Sequence, residues 1–456
     1  MALSIIILAA GQGTRMMSNR PKVLHYLAGK PMLQHVVDTS KALSPDQIIV
    51  VVGHKSELVR DVMSGQSLNF IEQKELLGTG HAVAQCLSLL KLGNDVLVLT
   101  ADVPLITTPT INSLLADSLN KDINVLSFMP ESAFGYGRIV RDCDQNVCAI
   151  VEQKDASAFE QTITESNSGI IFIAGKQVIE LIGMLDNKNA QSEYYLTDVI
   201  KHAAHKGLKV GAIVCKNSDE VHGVNNQQQL AKVERVYQQR QAESLMIDGV
   251  KLYDPSRIDI RGQLTVGKDV IIDINCIFEG NVSLADNVHI GAGCIIRNTV
   301  IESNTEVLPM TMIDGSSVGR NGIIGPFSRL RPGTKCSDNI KIGNFVETKK
   351  ASIGEGSKVN HLSYVGDARV GKNVNIGAGT ITCNYDGANK FETIIEDDVF
   401  IGSSTQLVAP VTIAKGSTIG AGSTITRNTP ERKLTFSRSK QVSVSGWQRP
   451  TKVDKG

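Results

Sequence analysis

The sequence has few aromatic residues, 4% of its 456, and its eight cysteines are scattered with no CxxC pair. Its 47 basic and 46 acidic residues leave a net charge of +1, so no overall field draws the chain to nucleic acid or to a membrane surface. No apolar stretch is long enough to cross a bilayer, and no basic segment precedes the first apolar one. We therefore expect a cytoplasmic protein with reduced cysteines, no nucleic-acid partner and no membrane insertion.

The most extensive pattern is a six-residue repeat between about Val266 and Ile425. In it, an aliphatic residue followed by a small or acidic one recurs at every sixth position. Neither the 3.6-residue period of a helix nor the two-residue period of a strand explains this spacing. It is typical of a parallel β-helix, in which three hexads make one triangular coil and aliphatic side chains stack inside. A β-sandwich with coincidental spacing accounts poorly for so many repeats.

Interruptions of this repeat predict where the β-helix departs from regularity. One residue is missing near Asp314, Ser352 and Arg369, and the segment from Cys383 to Phe391 is an insertion. Because loops expelled from a solenoid commonly carry function, we expect this insertion to be a functional loop.

The beginning of the chain reads as a strand that feeds a glycine-rich loop. The apolar run from Ser4 to Leu8 leads into Gly11 and Gly13. Such a loop can be a simple tight turn, or it can let backbone N–H groups approach the oxygens of a phosphate. Its spacing fits neither a P-loop nor GxGxxG. The basic residues Arg15 and Lys22 shift the balance toward a polyphosphate ligand.

Strand and helix patterns then alternate, which predicts a mostly parallel sheet covered on both faces. The predicted segments are strands at 48–52 and 95–99 and helices at 32–42, 56–63 and 82–90. Ligands gather at the carboxyl ends of such strands. Asp102 follows the second strand, where it is either a ligand of Mg²⁺ or a turn residue.

A polar helix at about 227–245 separates the two patterns. We expect one domain at 1–226, a linker helix at 227–250 and a β-helix domain at 251–456. The last domain ends in a basic tail that includes Arg438, Lys452 and Lys455. This tail is either a solvated end or an anion-binding arm.

The geometry of the repeat suggests a site on the β-helix. Arg331 and Lys349 are one coil apart and should stack, which favours an anion between them because like charges across strands destabilise a sheet. His361 lies one coil further, and Glu347 would orient it as a general base. A lone histidine is more often structural, but the adjacent basic pair favours catalysis.

Three motifs resemble one family over essentially the whole chain. They are Leu8 to Met16 with Lys22, the segment 360–367 around His361, and Asn384-Tyr385-Asp386-Gly387. Together they are similar to the bacterial bifunctional N-acetylglucosamine-1-phosphate uridyltransferase/glucosamine-1-phosphate acetyltransferases. The resemblance implies a Rossmann-like nucleotidyltransferase domain of α/β class followed by a left-handed parallel β-helix of hexapeptide repeats. It also implies a homotrimer with acetyltransferase sites at subunit interfaces.

The resemblance implies two reactions that supply bacterial cell-wall and lipopolysaccharide synthesis. Acetyl-CoA acetylates glucosamine 1-phosphate, and the resulting N-acetylglucosamine 1-phosphate then reacts with UTP to release pyrophosphate. For the second reaction it implies phosphate contacts from Arg15 and Lys22 and Mg²⁺ held by Asp102 and Asn225. The residues implied for the nucleotide and the amino sugar are Leu8, Ala9, Ala10, Gly11, Gln73, Gly78, Thr79, Gly137, Glu152 and Asn167.

For acetyl transfer, the resemblance makes His361 the base and Glu347 its orienting group. The residues implied for glucosamine 1-phosphate are Arg331, Lys349, Tyr364 and Asn375. Those implied for acetyl-CoA are Ala378, Asn384, Tyr385, Ser403, Ala421 and Arg438.

The sequence departs from the family at two places. Gln12 stands where the family usually has lysine, and Thr100-Ala101 replaces the usual Tyr-Gly before Asp102. Two other functions stay open: a nucleotidyltransferase whose β-helix is not catalytic, and an interaction protein built from the same modules. The intact Gly11, Arg15, Lys22 and Asp102 argue against the latter.

Overall fold

The computed structural model describes residues 2–452, so the predicted tail residue Lys455 lies outside the described part. The chain divides into two compact units, Met1–Arg240 and Gln241–Gly456. Within residues 2–452, no helix combines the length and apolar character needed to cross a bilayer.

The first unit is built on a twisted sheet with helices on both sides. The strands of this unit are β1 (Leu3–Ala9), β2 (Tyr26–Leu27), β3 (Lys30–Pro31), β4 (Gln47–Val52), β5 (Asn69–Glu72), β6 (Asp95–Thr100), β7 (Ile123–Phe128), β8 (Arg138–Arg141), β9 (Val147–Val151), β10 (Ser166–Ile173) and β11 (Val210–Val214), of which β2 and β3 form a separate two-stranded sheet. The helices are α1 (Met32–Ala42), α2 (Ser56–Val62), α3 (Thr79–Cys86), α4 (Thr108–Asp117), α5 (Gly175–Gly183), α6 (Asp198–His205) and α7 (Gln227–Ile247), of which α7 runs across the division between the units.

The main sheet has the order β11-β7-β10-β6-β1-β4-β5, with the β8–β9 hairpin attached to β10. Strand β1 lies parallel to both β4 and β6, while β10 is antiparallel to β6 and β7. Alternate residues of β1 enter two cores: Ile5 and Ile7 pack on one side of the sheet, and Ile6 packs on the other. The α/β class predicted for this part is confirmed.

Helix α7 packs on the first unit along its first half. Glu234 Oε2 accepts a hydrogen bond of 2.8 Å from the Ala28 N–H, and Arg240 Nη1 donates one of 2.9 Å to the Leu105 carbonyl. Val233 is buried in a small core with Leu27. Up to Arg240, the helix is therefore part of the folded unit, whereas the sequence predicted a linker helix over 227–250.

The second unit is a β-helix of short parallel strands. Along the chain they are β12 (Lys251–Leu252), β13 (Ile258–Val266), β14 (Ile271–Ile272), β15 (Cys276–Leu284), β16 (His289–Ile290), β17 (Ile295–Arg297), β18 (Val300–Ile301), β19 (Glu306–Val307), β20 (Met312–Asp314), β21 (Ser317–Val318), β22 (Ile323–Ile324), β23 (Arg329–Leu330) and β24 (Lys335–Cys336). They continue as β25 (Lys341–Asn344), β26 (Glu347–Ile353), β27 (Lys358–His361), β28 (Tyr364–Val370), β29 (Asn375–Ile376), β30 (Ile381–Cys383), β31 (Thr393–Ile395), β32 (Phe400–Ile401), β33 (Gln406–Val408), β34 (Val411–Ile413), β35 (Thr418–Ile419), β36 (Thr424–Ile425) and β37 (Leu434–Thr435).

These strands stack into the three faces of a left-handed prism, which confirms the predicted fold. One face runs from β12 through β25, β27 and β29 to β37. The other two are joined by long strands that turn a corner: β15 pairs with β17 near its start and with β18 near its end. The hexad aliphatic residues fill the interior as one continuous core, and Cys276, Cys294 and Cys336 are buried with them.

The corners of the prism explain the rest of the repeat. Several corner residues adopt positive φ, and asparagine is frequent there because it tolerates the left-handed region. Asn287 at φ 58° donates its side-chain amide to Asn304 Oδ1 of the next coil at 3.1 Å. The insertion also lies where the repeat breaks, since Ile381 pairs with Gln406 across one enlarged coil.

Candidate functional sites

The loop after β1 is packed against the segment that carries Lys22. Gly13 has a φ of 65°, and a Cβ at this position would lie 2.5 Å from the Cβ of Lys22. Two short 3₁₀ helices, Thr14–Met16 and Lys22–Leu24, flank this contact. A larger residue at position 13 would displace Lys22, so the glycine positions the lysine as well as turning the chain.

A cleft of about 330 Å³ opens at the carboxyl ends of β1 and β6. Its wall gathers most of the residues that the sequence assigned to nucleotide, phosphate or metal: Leu8, Ala9, Ala10, Gly11, Lys22, Gln73, Gly78, Thr79 and Asp102. Gln12, Thr100 and Glu193 also line it. The placement follows from the topology, because adjacent parallel strands end at the same edge of the sheet.

Four predicted residues form a compact polar cluster at this cleft. Lys22 Nζ lies 2.5 Å from Asp102 Oδ2 and 3.2 Å from Asn225 Oδ1. Arg15 Nη2 donates to the same Asn225 oxygen at 3.0 Å. The side chains of Lys22 and Asp102 are only 12% and 23% exposed, so this ion pair is partly shielded from water.

The loop before α3 forms the other wall of the cleft. Gln73 Nε2 donates to the Gly78 carbonyl at 3.0 Å, and Thr79 Oγ1 accepts from the Leu196 N–H at 3.0 Å. Gly78 has a φ of 109°, and a Cβ there would lie 2.6 Å from the Tyr194 carbonyl oxygen. The segment Glu193–Leu196 thus fixes the loop from outside, a role that the sequence did not reveal because the contact spans more than a hundred residues.

The three residues predicted for the amino sugar are linked to one another. The Asn167 N–H donates to the Gly137 carbonyl at 2.8 Å, and a Cβ at Gly137 would lie 3.3 Å from Glu152 Oε2. Burial raises the pKa of the Glu152 carboxyl, although Thr197 Oγ1 donates a hydrogen bond of 3.0 Å to it. A partly buried carboxylate suits recognition of sugar hydroxyls, which can replace the water that it lacks.

Thr100 occupies the place where the sequence departs from the family. It lines the cleft, and its hydroxyl oxygen is buried without a hydrogen-bond partner in the structure. Its methyl carbon faces Gly169 on the neighbouring strand, and a Cβ at position 169 would lie 3.2 Å from this carbon. The position is therefore tightly packed, with an unsatisfied polar atom.

On the β-helix, one corner carries four of the predicted acetyl-transfer residues in a column that runs from coil to coil. Backbone hydrogen bonds between successive coils align its members: Asn344, His361, Ala378, Ser403 and Ala421. The N–H after each member donates to the carbonyl of the member one coil earlier, as from Gly422 to Ser403 at 2.8 Å. Small residues above His361 leave room along the corner for an extended ligand.

His361 is oriented by a residue that the sequence reasoning missed. Its Nδ1 lies 2.9 Å from Asn344 Oδ1, one coil earlier in the same column. The predicted orienting contact from Glu347 is replaced by this one, because Glu347 lies on the next face and accepts a hydrogen bond of 2.8 Å from Arg331 Nη1. The coil spacing of 17 residues at this level could have identified Asn344.

The basic pair lies beside this corner. The pairing of Leu330 with Thr348 sets a register in which Arg331 comes level with Lys349. One coil further, Gly366 pairs with Lys349, and a Cβ at Gly366 would overlap the Tyr364 hydroxyl. The tyrosine therefore folds over the glycine and presents its hydroxyl in line with the two cations.

The inserted loop brings a third cation to this pair. The Lys390 ammonium beside Lys349 holds the pKa of Lys349 below its ordinary value, and desolvation and Arg331 act in the same direction. Asn384 Nδ2 donates to Asp367 Oδ2 at 2.5 Å and lies 3.5 Å from the Tyr364 hydroxyl. Asp367 acts on the pKa of Lys349 in the opposite direction, and Glu347 pairs with Arg331. Three neighbouring cations beside two carboxylates leave a net positive charge, which favours an anion.

The remaining predicted residues lie at the margins of this region. Asn375 stacks between Lys358 and Phe400 on the face that precedes the corner. Tyr385 is exposed on the inserted loop. Arg438 lies above the column, with its guanidinium 5.3 Å from the centre of the Phe436 ring.

Two family models match parts of the chain, and curated relatives match nearly all of it. The MobA-like NTP transferase domain matches residues 5–163, and the bacterial transferase hexapeptide of six repeats matches residues 392–427. A relative from Marinobacter nauticus, named bifunctional protein GlmU, is 53% identical and aligns over 99% of this chain and 99% of its own. One of the same name from Cupriavidus pinatubonensis is 52% identical over 99% of this chain and 100% of its own. The chain belongs to the bifunctional GlmU family.

Membership of the GlmU family extends over both units, since the alignments leave almost none of the chain uncovered. It confirms the resemblance that the three motifs carried. The solved structure of HddC from Yersinia pseudotuberculosis is a more distant match, with 18% identity and a TM-score of 0.40 over 51% of this chain and 99% of its own, and adds nothing to the assignment.

Proposed function

We propose that this chain carries out two consecutive transfers in the synthesis of UDP-N-acetylglucosamine. Glucosamine 1-phosphate first receives an acetyl group from acetyl-CoA, and the product then receives a uridylyl group from UTP. The observation that supports the proposal is that Lys22, Asp102 and Asn225 meet at the cleft of the first unit, and His361 lies in a column of small residues on the β-helix of the same chain. Domains at 1–226 and 251–456 would hold the two sites.

Uridylyl transfer needs positioning and charge neutralisation more than a covalent nucleophile. A phosphate oxygen of N-acetylglucosamine 1-phosphate attacks the α-phosphorus of UTP, and the bond to the leaving pyrophosphate breaks. Lys22 and Arg15 are placed to neutralise phosphate charge at the cleft. Glu152 would accept hydrogen bonds from sugar hydroxyls beside Gly137 and Asn167.

Mg²⁺ fits the oxygen atoms at this cleft. Asp102 Oδ2 and Asn225 Oδ1 already converge on one positive charge, the ammonium of Lys22. One carboxylate and one amide oxygen suit this ion, which usually completes its shell with phosphates and water. When bound, the ion would supply further charge neutralisation at the phosphates.

Acetyl transfer would use His361 as the general base. Asn344 Oδ1 accepts from the Nδ1–H, so Nε2 remains free to take a proton. The amine of glucosamine 1-phosphate attacks the thioester carbonyl, its proton passes to His361 Nε2, and the carbon–sulfur bond breaks to release CoA. Arg331, Lys349 and Tyr364 would hold the phosphate of the substrate, and the corner column above His361 would receive the pantetheine arm.

Membership of the family supports a proposal for the oligomeric state and the location of the chain. We infer a homotrimer in the cytoplasm, with acetyl-CoA contacts from Asn384, Tyr385, Ser403, Ala421 and Arg438 completed between subunits. Sedimentation of the purified protein at about three times the chain mass would support the trimer, and a monomer that retains acetyl transfer would contradict it.

The decisive experiment is a coupled assay with glucosamine 1-phosphate, acetyl-CoA, UTP and Mg²⁺. We expect release of CoA, then of pyrophosphate, and accumulation of UDP-N-acetylglucosamine. Pyrophosphate release from pre-acetylated substrate without any CoA release would favour the alternative, a nucleotidyltransferase with a β-helix that is not catalytic.

A further inference from the structure

Lys22 contacts both oxygen atoms of the proposed metal site, and Arg15 Nη2 also donates to one of them, Asn225 Oδ1, at 3.0 Å. Lys22 Nζ is 2.5 Å from Asp102 Oδ2 and 3.2 Å from Asn225 Oδ1, and only 12% of its side chain is exposed. It also belongs to the wall of the cleft. A lysine that served only to bind phosphate would extend into that cleft, with no need to bridge these two oxygens.

We propose that Lys22 occupies the magnesium position of the metal-free chain and has to leave before the ion can bind. The inference rests on the proposed function, since it takes Asp102 and Asn225 as the metal ligands. Mg²⁺ binds its oxygen ligands at about 2.1 Å, so the ion and the ammonium cannot share these two oxygens. Repulsion between the two cations adds to this steric conflict.

The exchange would link metal binding to nucleotide binding. Lys22 released from Asp102 is already at the cleft wall, where it can turn to a phosphate. The ammonium keeps Asp102 and Asn225 close together and their charge compensated in the metal-free chain. The metal site is therefore already formed, but Lys22 occupies it. Loss of Lys22 should tighten the binding of the metal ion and weaken the binding of the nucleotide.

The test measures Mn²⁺ binding to the full chain without nucleotide, by the electron paramagnetic resonance signal of the free ion. We expect Lys22→Met to bind Mn²⁺ about tenfold more tightly than the native chain, because a cation beside the ion is removed. Lys22→Arg keeps the charge and should stay near the native affinity. Lys30→Met is the matched control, since it removes one lysine from the same segment, where Lys30 pairs with the exposed Asp38.

Two further variants distinguish a failure of the metal assignment from a failure of the blocking role of Lys22. Asp102→Asn should lose Mn²⁺ binding; if it binds like the native chain, the metal assignment itself fails. If Asp102→Asn loses binding but Lys22→Met does not gain it, the assignment stands and the blocking role of Lys22 is refuted. Lys22→Gln provides a second neutral variant, and circular dichroism checks that each variant is folded. Unmeasurable binding to both neutral variants would also overturn the inference.

Discussion

The two sites of this molecule are assembled in different ways. In the first unit, Lys22, Asp102 and Asn225 come from three loops far apart in sequence and meet at one edge of a sheet. In the second unit, Asn344 and His361 come from successive coils and meet because β25 and β27 are paired in a fixed register. The first site depends on the packing of a whole domain, whereas the second depends on local stacking.

This difference determines how changes should spread. A β-helix is nearly one-dimensional, because each coil contacts mainly its two neighbours. A fault in one coil should therefore affect a site only where that site lies. In the α/β unit, the sheet and its two cores are shared by every loop of the cleft, so a fault in the core should affect all of them.

The largest expected effect separates the two activities. His361→Ala removes the proposed base and should lower acetyl transfer about 10²–10⁴-fold, while pyrophosphate release from pre-acetylated substrate stays unchanged. CoA release and pyrophosphate release are measured on the same preparation. His289→Ala is the control, since this histidine also lies on the β-helix, 3.9 Å from Glu306. Comparable losses in both reactions would contradict independent sites.

One core substitution in each unit should show that destabilisation stays local in the β-helix and spreads through the whole sheet of the first unit. Ile342 and Ile49 are both fully buried, and truncation of either to alanine should cost about 2–5 kcal/mol. For Ile342→Ala, hydrogen exchange should rise mainly in the paired strands β22 and β27. For Ile49→Ala, it should rise across the whole main sheet of the first unit. Uniform exchange throughout the β-helix in Ile342→Ala would refute the one-dimensional picture.

The contrast between the units also explains what the sequence could predict. Six-residue periodicity specifies both fold and register, so the levels of Arg331, Lys349 and His361 followed from counting. The prediction for Glu347 rested on nearness in sequence and on the family resemblance; the coil at this level is 17 residues long, so Asn344, and not Glu347, is paired with His361. One missing residue in a coil changes which side chain is the neighbour.

In the first unit, periodicity predicted strands and helices but not their contacts. The loop after β1 and the position of Asp102 followed from the rule that ligands bind at the carboxyl ends of parallel strands. The bridge from Lys22 to Asn225 and the support of Gly78 by Tyr194 did not, because each joins residues more than a hundred positions apart. Helix α3 begins at Thr79 rather than at the predicted 82, since Gly78 turns the chain into it.

A glycine substitution tests whether register alone makes the acetyl-transfer site. A Cβ at Gly366 would overlap the Tyr364 hydroxyl, which can swing aside because it is the end of a flexible side chain. Gly366→Ala should therefore raise the KM for glucosamine 1-phosphate roughly tenfold, through loss of one hydrogen bond to a charged group, with little change in melting temperature. Gly183→Ala, at a helical position with open space, is the control. An unchanged KM would remove Tyr364 from the proposed phosphate contacts.

The smallest effect compares one carboxylate from each site. Burial raises the pKa of Glu152, so its proton is bound more tightly in the folded chain than in the unfolded one. The stability from this protonated group is full below the unfolded pKa and is lost as pH rises through the folded pKa. Glu152→Gln should therefore gain stability relative to the native chain on passing from pH 4 to pH 7, while uridylyl transfer weakens.

Glu347, about one third exposed and paired with Arg331, serves as the control, and Glu347→Gln should change stability by only about 0–1 kcal/mol. Urea unfolding at both pH values measures the free energy of unfolding of each chain. If the stability of Glu152→Gln falls relative to that of the native chain as pH rises, ionised Glu152 does not destabilise the fold and the prediction is wrong.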